Sequence, residues 1–314
     1  MQTFYSNGKL LLTGEYVVLD GALSLALPTH YGQSLIVKSI EEPKIIWKSF
    51  DHNNLVWFEE EYPIENGTLK PLKHDHEISF RLSQILIAAT QLNPNFLNGK
   101  QSFYIESKLT FPREWGLGTS STLINNIAQW AKVDAYQLLK LSFGGSGYDI
   151  ACAKHDFPIT YQLLNTNKEN MDQNLDSKRK ISKVNFDPIF KDNLYFVHLN
   201  KKQDTKEGIK HYREKAHEIS NEISEISKIT LKMIACKQLI EFEKLIDRHE
   251  TIISKIIDQK PVKSLLFADF KGSIKSLGAW GGDFIIATST INPTEYFESK
   301  GYETVIPFDK MILK

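Results

Sequence analysis

The chain is short of cysteine, of long apolar runs and of net charge, and each shortage closes off a class of protein. The two cysteines, Cys152 and Cys236, lie far apart and match no metal-ligand spacing. That excludes a disulfide-stapled domain and a cysteine-ligated zinc module, and predicts buried free thiols in a reducing compartment. No apolar stretch approaches the ~20 residues that a membrane span needs. The opening Met1-Gln2-Thr3-Phe4-Tyr5-Ser6 has neither a basic start nor an apolar run, so a cytoplasmic chain without a secretory signal is expected. Lys plus Arg and Asp plus Glu balance at 38 each, which leaves no overall field to draw nucleic acid or an anionic membrane. Any anion site must be local. Two common catalytic signatures are missing as well: the G-x-x-x-x-G-K-[ST] phosphate loop and the G-x-S-x-G nucleophile turn.

What is present suffices for a sizeable core. With 314 residues, 41% of them apolar and 24% charged, the chain reads as a soluble globular protein of two compact units or one large one. Its first part is β-rich: Lys9 to Leu12, Tyr16 to Leu19 and Ser34 to Val37 read as strands. Ile45-Ile46-Trp47 and Leu55-Val56-Trp57-Phe58 read as a hairpin around Asp51-His52-Asn53-Asn54. Phe80, Leu82, Ile85, Leu86 and Ala89 predict a helix from Ile78 to about Gln91, ending before Asn93-Pro94. Asn165 to Lys183 is polar and without period, a loop near a domain boundary. After a strand at Leu194–Val197, one helical stretch places Ile209, Tyr212, Ala216, Ile219, Ile223 and Ile226 at helical spacing. A second does so with Leu239, Phe242, Leu245, Ile246, Ile252, Ile253 and Ile256. This order predicts an α+β protein of two domains.

Chemistry concentrates in glycine-bearing segments. Trp115-Gly116-Leu117-Gly118-Thr119-Ser120-Ser121-Thr122 joins a β-prone run, Phe103 to Ser107, to an apolar helical pattern beginning at Leu123. Glycines let backbone amides approach a ligand, and hydroxyls stand where a helix leaves its first N–H groups unpaired, a start that attracts phosphate. An ordinary capped helix has the same pattern. Three further segments keep it company: Gly8-Lys9-Leu10-Leu11-Leu12-Thr13-Gly14-Glu15-Tyr16, Gly144-Gly145-Ser146-Gly147-Tyr148-Asp149, and Lys275-Ser276-Leu277-Gly278-Ala279-Trp280-Gly281-Gly282-Asp283.

Together, and in this order, these segments resemble the GHMP kinase superfamily of galactokinase, homoserine kinase, mevalonate kinase and phosphomevalonate kinase. Gly14-Glu15-Tyr16, Gly145-Ser146-Gly147-Tyr148-Asp149 and Gly281-Gly282-Asp283 are most similar to the phosphomevalonate kinase branch. The resemblance implies a two-domain fold. An ATP-binding domain with a ribosomal-protein-S5-like core would span residues 1–165, a polar linker 166–190, and a ferredoxin-like domain 191–314. It implies ATP and Mg²⁺ as cofactors, with Gly116, Leu117, Gly118, Thr119, Ser120 and Ser121 around the ATP phosphates and Ser120 contacting the metal. Asp149 would accept or orient the acceptor's hydroxyl proton, and Lys9 would keep it ionised and offset charge on the moving phosphoryl group. Glu15, Ser146, Gly147, Gly278, Gly281 and Gly282 would line the acceptor and phosphate; for Glu15, orienting substrate and tying the turn together are equal alternatives.

The implied activity is phosphorylation of a mevalonate-pathway acceptor, phosphomevalonate or mevalonate, by a monomer or homodimer with no nucleic-acid or membrane partner. The chain departs from the family in three places. Ala135 to Lys140 lacks the second metal-binding glutamate of the mevalonate enzyme, Trp280 replaces a glycine, and Thr119 and Ser121 are mild changes. The first two motivate an alternative, a GHMP-fold protein that binds nucleotide or metabolite without turnover; a sugar or amino-acid alcohol as acceptor is a further one. His74-Asp75-His76, Lys178-Arg179-Lys180 and the aromatics Trp47, Trp57 and Phe58 read more simply as solvated loop, solvated basic run and hairpin packing.

Overall fold

The computed structural model describes residues 1–42, 44–65, 68–69, 77–98, 102–164, 179–201, 205–215, 218–278 and 280–314. The chain divides into two compact units that interleave along the sequence. The first takes Met1–Gly8, Tyr31–Arg113 and Leu117–Lys154; the second takes Lys9–His30, Glu114–Gly116 and His155–Lys314. Strands β1 (Gln2–Leu11) and β2 (Ser24–Ile40) therefore each contribute to both.

The first unit also holds β3 (Lys44–Phe50), β4 (Val56–Glu65), β5 (Thr68–Leu69), α1 (Glu77–Leu92), β6 (Ser102–Leu109), α2 (Thr119–Ala131), α3 (Ala135–Ser142) and α4 (Tyr148–Ala153). Its sheet runs β5-β4-β3-β6-β2, with β3 parallel to β6 and the other pairs on that path antiparallel. Alternation sets the buried face: Ile45, Trp47 and Ser49 of β3 point inward while Lys44, Ile46 and Lys48 stay half-exposed. Trp47 sits in register with Ile105 of β6. Helix α1 buries Leu82, Ile85, Leu86 and Ala89, and packs on α2 and α3. It stops at Leu92 because Pro94 disfavours helical backbone at Asn93.

The second unit continues with β7 (Ile159–Leu163), β8 (Arg179–Lys183), β9 (Leu194–His198), α5 (Thr205–Lys215), α6 (Ser220–Ala235) and α7 (Leu239–Ile257). It ends with α8 (Val262–Leu266), β10 (Ile274–Leu277), β11 (Phe284–Thr288), α9 (Thr294–Ser299), β12 (Val305–Pro307) and α10 (Phe308–Met311). The first residues of β2 pair with β7, and β7 pairs with β8. A separate antiparallel sheet runs β10-β11-β9-β12. Ile285 lies opposite Val197, and both enter a core with Val262, Phe267, Ile274 and Phe297. Phe196, on the alternate face, meets Phe308 at 6.1 Å. No helix among the described residues is long and apolar enough to cross a membrane.

Three local expectations are corrected. Tyr16 to Leu19 is not a strand: a tight turn at Tyr16 leads into a 3₁₀ turn, Val17–Asp20, closed by Gly21 at φ 89°. Val17 and Val18 are buried either way, so their apolar character did not distinguish strand from turn. The polar stretch ending at Lys183 is a strand from Arg179 onward, polar because β8 is a sheet edge with both faces partly in solvent. Its remainder, 165–178, lies outside the described residues, as does His74-Asp75-His76. The periodic stretch from Ile209 to Ile226 is two helices, with Glu218 at φ 50° between them.

Candidate active site

In the second unit, β1 carries Lys9 toward the first glycine turn. Lys9 is half-buried, and its Nζ donates to the Gly116 carbonyl at 3.2 Å. Beyond the strand, Gly14 N–H donates to His249 Nε2 at 3.0 Å. Tyr16 then sits at φ 63°, ψ −51°, and Val17 N–H reaches back to the Glu15 carbonyl at 2.8 Å. That is a γ-turn of the rare strained hand, adopted by a bulky residue.

The glutamate of this turn does not face solvent. Glu15 is 1% exposed, and its carboxylate contacts Lys275 Nζ directly. Around the pair stand His249 Nε2, 3.4 Å from Glu15 Oε2, and Glu250 Oε1, 3.7 Å from Lys275 Nζ. Lys275 also donates to the Ser276 carbonyl at 2.9 Å, and Ser276 Oγ to Glu250 Oε2 at 3.3 Å. Of the two roles left open for Glu15, tying the turn together is the one this geometry favours.

Two carboxylates share one ammonium in a site without solvent. Burial pushes Glu15 up to about 7 against the pull of Lys275, and pushes Glu250 up to about 8. Burial, helped by the Lys275 charge, drives His249 well below its usual value. The imidazole is neutral, with Nε2 as acceptor for Gly14 N–H. Glu250, whose hydrogen-bonding partner is a hydroxyl, holds its proton to higher pH than Glu15, whose partner is an ammonium.

The phosphate-loop candidate begins in the second unit and ends in the first, since the division falls between Gly116 and Leu117. Trp115 meets Phe284 of β11 edge-on at 5.4 Å. Gly116 is glycine for space: a Cβ there would lie 2.3 Å from the Asp283 carboxyl carbon. Gly118, at φ 92°, forms the N-cap of α2. Of the hydroxyls that follow, Ser121 Oγ donates back to the Gly118 carbonyl at 2.9 Å and Thr122 Oγ1 to Gln33 Oε1 at 2.6 Å. Ser120 is exposed at the helix start.

Helix α2 is fixed from below by a neutral polar web in the first unit. Asn126 Nδ2 donates to the Gln33 carbonyl at 2.9 Å, and Gln33 Nε2 to Ser107 Oγ at 2.7 Å. Ser6 Oγ bonds Asn126 Oδ1 at 2.7 Å, and Asn125 Nδ2 donates to Ser6 Oγ at 2.9 Å. Helix α4 packs on α2 and starts from Gly147 at φ 84°. Asp149, in its first turn, is half-buried and accepts from Ile150 N–H at 3.2 Å. Ser146 is half-buried just before the cap.

The last glycine loop follows β10, which is buried along its whole length. Gly278 and Gly281 turn at φ 73° and 82°, and Asp283 at φ 51°. Asp283 is tied at both ends: its N–H donates to the Lys201 carbonyl at 2.7 Å, and its carbonyl accepts from Leu199 N–H at 2.8 Å. Trp280 is 4% exposed, with its indole N–H on the Lys260 carbonyl at 3.2 Å and its backbone N–H on Tyr16 Oη at 3.1 Å. The tryptophan that departs from the motif is thus an inward anchor of the loop. Ala279 lies outside the described residues.

Within the second unit the structure brings together Lys9, Gly116 and the last loop, through Asp283; within the first it sets Ser120 and Asp149 on two packed helices. Sequence reasoning missed the ionic cluster and the polar web. The web's signal was Asn125-Asn126 between Ile124 and Ile127 in an apolar helical pattern; Glu250, beside Asp247, Arg248 and His249, gave none. Among the described residues no three His, Cys, Asp or Glu side chains are arranged to hold a metal ion.

No family model and no curated protein matches the sequence. Solved structures do. A mevalonate kinase matches with TM-score 0.71 at 16% identity, covering 100% of both chains. The Methanococcus jannaschii mevalonate kinase matches with TM-score 0.69 at 18% identity, over 97% of this chain and 96% of that one. The Streptococcus pneumoniae phosphomevalonate kinase in complex with phosphomevalonate and AMPPNP matches with TM-score 0.67 at 15% identity, over 96% of each. The chain has the two-domain GHMP kinase fold. The α+β class expected from sequence is the one found. At these identities the likeness establishes the GHMP fold alone.

Proposed function

We propose that the chain is an ATP-dependent small-molecule kinase of the GHMP type, transferring the γ-phosphoryl group to a mevalonate-pathway acceptor, phosphomevalonate or mevalonate. The observation that carries this reading is the division of labour at the start of α2. Ser121 and Thr122 turn their hydroxyls back into the protein, while Ser120 is exposed and the left-handed Gly118 cap offers the helix start no side-chain partner.

In this reading Gly116 to Ser121 cradle the ATP phosphates. Lys9, held on the Gly116 carbonyl, places a fixed cation beside the loop's first glycine, where charge on the moving phosphoryl group needs offsetting. Asp149 accepts or orients the acceptor's hydroxyl proton, with Ser146 and Gly147 shaping its turn. Gly278, Gly281 and Gly282 close a backbone turn on the acceptor side. Mg²⁺ fits the donor present: Ser120 offers an exposed hydroxyl, a hard oxygen of the kind that joins phosphate oxygens and water around this ion. When bound, the ion neutralises phosphate charge. Residues 1–165 supply the nucleotide side and 191–314 the C-terminal domain, joined by 166–190, in a cytoplasmic monomer or homodimer.

The test is ADP release from Mg²⁺-ATP with mevalonate, phosphomevalonate, galactose or homoserine, by wild type and Asp149→Asn. Turnover is expected on a mevalonate-type acceptor, falling ~10²-fold or more in the variant. Nucleotide binding without turnover on any acceptor would replace the kinase by a binding protein. Full activity in Asp149→Asn would remove the assigned base.

A further inference from the structure

We propose that Tyr16 and Lys275 are positioning residues: they clamp the first glycine turn to the last glycine loop, so that Gly14–Tyr16, Gly278 and Trp280–Asp283 form one rigid wall of the site. The proposal rests on the kinase reading for its kinetic consequence and on the second unit alone for its geometry.

Two costly features meet at this turn. Tyr16 occupies a strained γ-turn, and Glu15, next to it, is committed to a buried ion pair. A strained backbone persists only where its surroundings over-determine it, and such positions cluster at functional sites. A buried ion pair is likewise a poor way to gain stability, since apolar residues of similar volume do as well or better. Neither feature is explained by folding alone.

Both reach the same loop. Tyr16 Oη accepts the Trp280 N–H at 3.1 Å, inside the last glycine loop. Lys275 lies three residues before Gly278 on β10, and its ammonium binds the Glu15 carboxylate. The tyrosine is itself braced. Its ring stacks on Tyr212 of α5 at 5.6 Å, and Gly208 leaves its hydroxyl room, since a Cβ there would approach Tyr16 Oη to 2.8 Å. Tyr212 donates to Asp20, at the end of the same turn, and Arg213 binds both oxygens of Asp20 at 2.7 and 2.9 Å. His249 takes the Gly14 N–H, and the Trp280 indole is tied to Lys260. The turn and the loop are therefore joined twice, once directly by Tyr16 at Trp280 and once through Lys275 on the strand that leads into the loop. Phosphoryl transfer depends on positioning, so a wall held this way is what an in-line reaction needs.

The experiment compares wild type, Tyr16→Phe, Lys275→Met and the double variant Glu15→Gln/Lys275→Met. Tyr16→Phe keeps the ring and loses only the acceptor oxygen. The double variant removes both charges and leaves none unpaired, so it folds even if Lys275→Met does not. Backbone hydrogen exchange is read at residues 280–283 and in β9 and β11. Exchange in the loop is expected to rise about tenfold in Tyr16→Phe and in the double variant, with the strands unchanged. In the acceptor assay kcat is expected to fall about tenfold while the KM for ATP stays within about twofold.

A folded double variant with wild-type loop exchange and wild-type kcat would overturn the clamp, because a merely structural ion pair predicts that outcome. Should wild type turn over no acceptor, the kinase reading fails, and loop exchange decides the clamp by itself.

Discussion

The two units solve the same problem, fixing a glycine turn from inside, with opposite chemistry. Under α2 the web of Ser6, Gln33, Ser107, Thr122, Asn125 and Asn126 is neutral, and its bonds run between 2.6 and 2.9 Å. Under the Gly14–Tyr16 turn, Glu15, His249, Glu250 and Lys275 are ionic. There Glu15 Oε2, His249 Nδ1 and Glu250 Oε1 find no hydrogen-bond partner among the described residues. A satisfied neutral network loses little on burial and rigidifies what it touches. An ionic cluster short of partners keeps a large desolvation cost, and its stability depends on which member is charged. The web should therefore be sensitive to any single deletion and indifferent to pH. The cluster should be sensitive to charge balance and to pH.

The largest effect tests charge balance. Lys275→Met strands the Glu15 carboxylate, 1% exposed, and should cost about 3–5 kcal/mol of unfolding free energy. Adding Glu15→Gln to it should recover most of that loss, measured by denaturant midpoints at constant slope. If the double variant is as unstable as the single one, the lysine matters through packing and the contrast between the units weakens.

Next comes the web. Asn126→Leu removes the acceptor of the Ser6 hydroxyl proton and the side-chain donor to the Gln33 carbonyl, both buried, and should cost about 2–4 kcal/mol at every pH from 5 to 8. A pH-dependent loss would show that some member of the web titrates. Because the web seats α2, the proposed kinase function adds that loosening it weakens nucleotide binding, read as the Kd for AMPPNP.

What could be read beforehand follows the same divide. The helix start at Thr119 and the turns at Gly147, Gly278 and Gly281 were legible because glycine at positive φ is a local signal, written in two or three adjacent residues. Strands such as β3 and β6 were legible from alternation, and α7 from its spacing. The ionic cluster was not. Glu15 and Lys275 are 260 residues apart, and nothing next to Glu15 announces a buried cation. The strained turn at Tyr16 was hidden for another reason: Val17 and Val18 carry strong strand propensity, which tertiary contacts overrode. Trp280 looked like a disturbance of the last motif, because its anchor on Lys260 depends on a loop that only the fold brings near.

The smallest effect is the pH dependence, and it singles out Glu250. Its folded value, about 8, lies above the ordinary 4.5, so the folded chain holds a proton that the unfolded chain has lost. Stability from this group is complete at low pH and is lost as pH rises toward 8. His249 works in the other direction. Held well below 6.5, it stays neutral in the fold while the unfolded chain takes up a proton, so its contribution is lost as pH falls below 6.5. Glu15, raised to about 7, adds a carboxyl slope of the same sign as that of Glu250, so between 4.5 and 6.5 the histidine offsets only one of the two and a net decline with pH is left. Above about 7, where Glu15 has ionised, Glu250 acts alone, and unfolding free energy should fall by about 1 kcal/mol per pH unit until pH 8. Glu250→Gln keeps an acceptor for the Ser276 hydroxyl and cannot titrate. In that variant the decline above 7 should flatten, and below 6.5 the opposed slopes of Glu15 and His249 should leave a plateau. Denaturant midpoints taken at half-unit steps from pH 5 to 8.5 check both changes. An undiminished alkaline decline in Glu250→Gln would move the buried proton to Glu15, and with it the charge that Lys275 faces.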